Sequence, residues 1–135
     1  MKYYIDTSIW RDLHEDRKDR FRPLGDWAFE LFRKIRENNE IVVFSDLIVD
    51  ELSKDYDTGT IRNIFTIASG NLEKAKITKH QVIEAKNQRK LFSVPFGDIL
   101  HSIIARDNNA IIVTRDHHFE ELQHIVDVKK PEELI

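Results

Sequence analysis

The sequence predicts one α/β domain over residues 1–135, built on a central, mostly parallel sheet flanked by helices on both faces. Three observations lead there. Tyr3-Tyr4-Ile5, Ile41-Val42-Val43-Phe44 and Ala110-Ile111-Ile112-Val113 are short apolar runs without polar alternation, as in strands buried on both faces. Segments with helical spacing of apolar residues separate these runs. A length of 135 residues suits a single hydrophobic core.

The elements follow in order. Tyr3-Tyr4-Ile5 is a strand that stops at Asp6, and Thr7 or Ser8 caps a first helix carrying Ile9, Trp10 and Leu13. The charged stretch from Glu15 to Pro23 reads as a loop or arm. Asp26 is the expected cap of a second helix that turns Trp27, Leu31 and Ile35 to one side, with Phe32 beside them. After the strand Ile41 to Phe44, Asp46 caps a helix with Leu47, Val49 and Leu52. Thr60 to Ser69 reads as a helix ended by Gly70, and Thr78 to Lys90 as another, with Val82, Ile83, Ala85 and Leu91 directed inward. The segment between Gly70 and Thr78 carries no readable pattern.

Pro95 closes what precedes it. Phe96, Ile99, Leu100, Ile103 and Ile104 then repeat at i, i+3, i+4, i+7 and i+8, an amphipathic helix ended by Asn108-Asn109. Ala110 to Thr114 is a strand, His117 to Leu122 a short helix, and Ile125 to Val128 a further strand. Lys130-Pro131-Glu132-Glu133-Leu134 forms a last turn.

Composition narrows the function classes. No cysteine is present, which removes disulfides and thiolate metal sites and fits a reducing cytoplasm. No apolar run approaches the roughly 20 residues of a membrane span, and the N-terminus lacks a signal-peptide core. A net charge of −3 gives no general attraction to nucleic acid, but it allows an acidic site beside a basic rim. Glycine-loop and Walker motifs, a nucleophile elbow and a His-x-x-x-His pair are all absent.

Four acids carry the chemical reading: Asp6 after the first strand, Glu51 in Val49-Asp50-Glu51-Leu52, Asp98 in Gly97-Asp98-Ile99-Leu100, and Asp116 after Val113-Thr114-Arg115. Alone, each has an ordinary explanation. An acid in a first helical turn answers the helix dipole, and a mid-helix glutamate is usually solvated. Together they stand at strand ends and first turns, and a parallel sheet gathers such positions along one edge, where α/β folds bind ligands. Carboxylates converging there need a positive partner. A hard divalent cation with oxygen ligands fits, and it supports phosphodiester hydrolysis by activating water and relieving developing charge.

The pattern resembles the PIN domain, the nuclease fold of the VapC-type toxins of toxin–antitoxin modules. Tyr4-Ile5-Asp6-Thr7-Ser8, Val49-Asp50-Glu51-Leu52, Asp98-Ile99-Leu100-His101 and Val113-Thr114-Arg115-Asp116 each resemble one of that family's acidic motifs, in the right order, and the ending from Lys130 to Leu134 is similar as well. The resemblance implies a metal-dependent endoribonuclease holding Mg²⁺ or Mn²⁺ through Asp6, Glu51, Asp98 and Asp116. It makes Thr114 an accessory polar residue and gives Thr7 or Ser8 a share in shaping the pocket. It also implies a small antitoxin as partner and a homodimer, to which Trp10, Trp27 and Phe32 would contribute. Two departures stand out: Glu120 occupies a place where many members carry a further aspartate, and Asn108-Asn109 replaces the usual glycine.

Arg11 and Arg115 lie nearest in sequence to the acids and are the expected phosphate contacts. Phe21, among Arg20 and Arg22, is suited to stacking on a base or on a protein partner. His101, one turn from Asp98, is the one histidine with a functional case, although a packing role is the commoner fate. The competing readings are a non-catalytic PIN-like module that binds RNA or protein, and a DNA-directed nuclease of related fold.

Overall fold

A computed structural model describes all residues from Met1 to Ile135. Five strands form one sheet in the order β3-β2-β1-β4-β5: β1 (Lys2–Ile5), β2 (Ile41–Phe44), β3 (Leu72–Lys74), β4 (Ala110–Val113) and β5 (Val128–Lys129). Every pairing is parallel, with Tyr3 opposite Val42 on one side and opposite Ile111 on the other. The sheet is thus wholly rather than mostly parallel.

Six α-helices connect the strands: α1 (Thr7–Glu15), α2 (Leu24–Glu37), α3 (Asp46–Leu52), α4 (Thr58–Phe65), α5 (Lys79–Arg89) and α6 (Phe96–Asp107). Parallel crossovers are right-handed. The chain moves outward from β1 to β2 and β3, then crosses to β4 and β5 on the other side. Helices α1 to α4 therefore cover one face, and α5 and α6 the opposite one. The direction reverses between β1 and β4, and the carboxyl ends of these two central strands open a crevice there.

The core is continuous across both layers. Tyr4, Ile5, Val42, Val43, Ile112 and Val113 are buried in the sheet, and Ile9, Trp10, Leu31, Phe32, Ile99, Ile103 and Ile104 pack over it. Trp10 and Phe32 are fully enclosed, with ring centroids 4.8 Å apart, and Trp27 is covered by the Arg115 guanidinium 5.4 Å from its ring. Trp10 and Phe32, expected at an interface, are core residues, whereas Trp27 is half-buried under Arg115.

Other expectations shift for local reasons. Asp6 itself stands at the N-cap of α1, so Thr7 and Ser8 are its first residues. Asp26 lies within the first turn of α2, which starts after Pro23, and Asp46 is the first residue of α3 after Ser45. The Thr60 to Ser69 segment is α4 plus a 3-10 turn at Thr66–Ala68, and Gly70 then takes φ +87°. The unread segment after it contains β3, whose strand nature is hidden by Glu73 and Lys74. Helix α5 buries Gln81 and Ala85 and packs Val82 on the core, while Ile83, and Leu91 beyond its end, face outward; Gln81 bonds Asp107 of α6 at 3.1 Å. The stretch from His117 to Leu122 is 3-10 rather than α-helical, and the last strand shrinks to Val128–Lys129 because Ile125 and Val126 turn into the core. Thr78 caps α5 in a reciprocal box with Gln81, and Asn109 takes the left-handed conformation (φ 55°) after α6.

The α1–α2 junction is tight. A Cβ on Gly25 would sit 2.5 Å from Asp16 Oδ1 and 2.7 Å from Asp16 Cα. Gly25→Ala is expected to destabilise the fold by about 1–3 kcal/mol, the usual cost of overpacking. Urea unfolding should show a lower midpoint at unchanged slope; an unchanged midpoint would mean that the junction yields.

Candidate functional site

The crevice between the ends of β1 and β4 is built from four segments. Asp6 leaves β1 and is almost fully buried. Its backbone N–H donates to Val113 O (2.9 Å), which ties it to the end of β4. Its Oδ2 accepts from Ser8 Oγ and from Thr114 Oγ1, both at 2.8 Å. Thr114 Oγ1 in turn accepts from the Asp116 backbone N–H at 3.0 Å. One buried hydroxyl thereby links the acids that follow the two central strands.

Glu51 enters from α3. Thr7 Oγ1 donates to its Oε1 (2.7 Å), and His101 Nε2 lies 2.8 Å from its Oε2. Carboxylate oxygens of Asp6 and Glu51 and a ring nitrogen of His101 lie within 4.8 Å of one another. Burial alone would raise the Glu51 carboxyl, but the hydrogen bond and charge of His101, the Thr7 hydroxyl and nearby Lys54 together hold it below the ordinary value.

Asp98 comes from the first turn of α6. His118 Nδ1 stands between it and Asp116, 3.1 Å from Asp98 Oδ2 and 3.2 Å from Asp116 Oδ1. Burial pushes the Asp98 carboxyl up to about 6, and the negative charges of Asp116 and Asp6 push the same way against His101 and His118. Asp116 also caps the following turn by accepting from the His118 backbone N–H at 3.0 Å. Its ordinary capping role and its place in the site coexist.

The structure thus brings Asp6, Glu51, Asp98 and Asp116 to one edge, with Thr7, Ser8 and Thr114 hydrogen-bonded among or beside them. Glu120 is exposed and lines an adjoining cleft of 400 Å³ with Asp116, His117, Lys129 and Lys130. Arg115 lines the same cleft, and Arg11 lies behind Glu51. Arg11 donates to the Glu51 backbone carbonyl (3.1 Å) and pairs with Asp55 at 2.7 Å. Arg115 is nearly buried, with Nη2 2.7 Å from Glu132 and Nε 3.4 Å from Asp12. Both are engaged in holding helices and turns, Arg115 from the wall of the cleft beside Asp116.

Three residues were missing from the sequence reading: Tyr4, Ser45 and His118. His101, Tyr4 and Ser45 are buried and bonded in series. A histidine inside an apolar helix stripe and a tyrosine inside a buried strand are signals for such a pair, because each buried polar group needs a partner.

Two groups of donor atoms lie within 4.8 Å of one another, Asp6–Glu51–His101 and Asp116–His117–His118, with Asp98 joined to the second through His118. Carboxylate oxygens dominate the first, as a hard divalent cation requires, and no lysine or arginine forms an ion pair with Asp6, Asp98 or Asp116.

The PIN domain family model matches residues 3–125. No curated protein sequence matches. Among solved structures, VapBC2 from Rickettsia felis, crystallised with a DNA fragment from its promoter, is similar at TM-score 0.70 and 17% identity, over 96% of this chain and 98% of that one. FitAcB from Neisseria gonorrhoeae is similar at TM-score 0.62 and 16% identity, over 99% and 100%. These likenesses are likenesses of fold.

The raised Asp98 carboxyl, held up by burial first and by its acidic neighbours second, has a measurable sign. Its folded value near 6 exceeds the ordinary 3.8, so between these values the folded state binds more protons than the unfolded one, and stability falls as pH rises through that window. In EDTA, Asp98→Asn should therefore stabilise the protein at pH 7.5, by roughly 1–3 kcal/mol, and the gain should vanish by about pH 4. Urea melts at the two pH values measure this. A variant less stable than wild type at pH 7.5 would show that the Asp98 charge is not held against burial and repulsion.

Proposed function

This chain belongs to the PIN domain family, and we propose that it is an endoribonuclease dependent on Mg²⁺ or Mn²⁺. PIN domains are generally metal-dependent nucleases. The observation that carries the reading is the meeting of Asp6, Glu51, Asp98 and Asp116 at the carboxyl edge of β1 and β4, with hydroxyl and imidazole partners but no lysine or arginine ion pair to three of them.

In this reading Asp6, Asp98 and Asp116 hold the cation most directly, and Glu51 completes the set. A bound divalent cation supplies an activated water and relief of charge at the phosphate. The protein's own contribution is orientation. Ser8 and Thr114 fix the Asp6 carboxylate. Thr7 fixes Glu51, and the Thr114 hydroxyl, by accepting from the Asp116 amide, sets the turn that carries Asp116. Lys54, exposed beside Glu51, and Lys129 and Lys130, on the cleft next to Asp116, join Arg115 of the same cleft and Arg11 behind Glu51 as cations for a phosphodiester backbone. Glu120 has a rim position in the same cleft.

A small antitoxin is the proposed partner and a homodimer the proposed assembly. The resemblance to VapC-type toxins implies both, and the fold likeness to VapBC2 and FitAcB supports the antitoxin. Exposed Ile83 and Leu91 on and after α5, rather than Trp10 and Phe32, supply apolar surface for such contacts. No helix is long and apolar enough to cross a membrane, and a cytoplasmic site of action is part of the proposal.

Incubation of total cellular RNA with the purified protein tests the activity. Discrete fragments are expected with Mn²⁺ or Mg²⁺ and none with EDTA. Asp6→Asn and Asp98→Asn should lower the rate by about two orders of magnitude or more, the scale of losing one electrostatic stabiliser. Intact RNA in every lane, with parallel cleavage of a DNA substrate, would reassign the enzyme to DNA. Inertness towards both would leave a binding module.

A further inference from the structure

We propose that His101 is a positioning residue for Glu51, locked in one orientation by Tyr4 and Ser45, and that it is not itself a ligand of the cation. The proposal rests on the metal-nuclease reading of the site.

Glu51 is the longest of the four acids and stands one residue from the end of α3. Left alone, its carboxylate would sample several rotamers. Here both oxygens are held, Oε1 by Thr7 and Oε2 by His101. Thr7 follows β1 and His101 lies in α6, so the carboxylate is fixed from two different layers of the fold.

The hydrogen-bond directions follow from the chemistry of the partners. An ionised carboxylate can only accept, so His101 Nε2 carries the hydrogen. In the neutral ring Nδ1 then has a lone pair, to which the Tyr4 hydroxyl, 2.7 Å away, donates; in the protonated ring Nδ1 donates to the Tyr4 oxygen instead, and in neither form is a nitrogen free to ligate. The Tyr4 oxygen is in turn 2.7 Å from Ser45 Oγ, whose hydroxyl completes the series. His101 is 1% exposed, and Tyr4 and Ser45 are 0% exposed, so no solvent competes for these atoms.

Both ring nitrogens are therefore occupied within the protein. Although His101 lies within ligand distance of Asp6 and Glu51, no nitrogen lone pair remains for a cation. The opposite tautomer would set the Nε2 lone pair against the carboxylate at 2.8 Å and leave Tyr4 facing an N–H. The Tyr4 hydroxyl thus selects the tautomer that donates to Glu51. A histidine that supports a ligating carboxylate from behind tunes metal affinity by such orientation.

Calorimetric titration of the full chain with Mn²⁺ tests the proposal, with melting curves to verify folding. Tyr4→Phe keeps the ring and removes the hydroxyl; it should weaken Mn²⁺ binding about tenfold, within the range for loss of an outer-shell partner. His101→Phe should weaken it at least as much, and Tyr4→Phe should add nothing in that background. Ser45→Ala, a milder change at the far end, should give a smaller loss in the same direction and serves if Tyr4→Phe does not fold. Wild-type affinity in Tyr4→Phe and Ser45→Ala would overturn the proposal, and so would additive losses in the double variant, which would assign Tyr4 to packing alone. The metal reading has its own controls. Wild-type protein without Mn²⁺ binding, or Asp6→Asn with undiminished binding, would overturn that reading itself.

Discussion

Mutual repulsion among Asp6, Asp98 and Asp116 is the constraint around which the rest of the site is arranged. Elsewhere this chain answers its acids with basic side chains. Asp12 and Glu132 share Arg115, Glu84 takes both terminal nitrogens of Arg106, and Glu73 pairs with Lys2. At the carboxyl edge of β1 and β4 that habit stops. Asp6 receives two hydroxyls, and Asp98 and Asp116 share one imidazole. Hydroxyl donors stabilise a carboxylate without neutralising it, so the net negative charge of the crevice survives folding.

The two arginines nearest in sequence to these acids show how the charge is kept. Arg11 reaches away along α1 to the backbone carbonyl of Glu51 and to Asp55, pinning the end of α3. Arg115 turns away from Asp116 and lies between Asp12, Glu132 and the face of Trp27. There it joins α1, the start of α2 and the C-terminal turn. Each arginine positions an element that carries a site acid, and neither pairs with Asp6, Asp98 or Asp116. The scaffold is charge-paired and the crevice anionic.

Much of this was legible in the sequence. The apolar runs at residues 3–5, 41–44 and 110–113 became the three central strands, because a strand covered on both faces has no room for alternation. Since acids at strand ends and first helical turns inherit the direction of a parallel sheet, the meeting of Asp6, Asp98 and Asp116 could be read before any coordinates. Glu51, placed only by its resemblance to a motif, depends on the length and tilt of α3. What stayed hidden was decided by tertiary contacts. The edge strand β3, with its Glu-Lys ending, lacks the apolar signature because it has one neighbour. The direction of Arg115 depends on Asp12 and Glu132, which are remote in sequence. Trp10 and Phe32 looked available for an interface only because helical periodicity does not say how much of a helix the neighbours cover.

The hidden polar series behind Glu51 has the same origin and a different consequence. Ser45, Tyr4 and His101 come from three elements and lie in a core otherwise made of Ile, Val, Leu and aromatic side chains. Stability alone does not favour such an arrangement, because buried hydrogen bonds return little beyond the desolvation they offset, and an unmatched member is expensive. A fully matched network, however, admits one geometry where an apolar core admits several. The series ends on Oε2 of Glu51, whose backbone is fixed by Arg11 and whose other oxygen is fixed by Thr7. The rigidity of the core is thereby delivered to the one acid of the set that its own strand or helix terminus does not place.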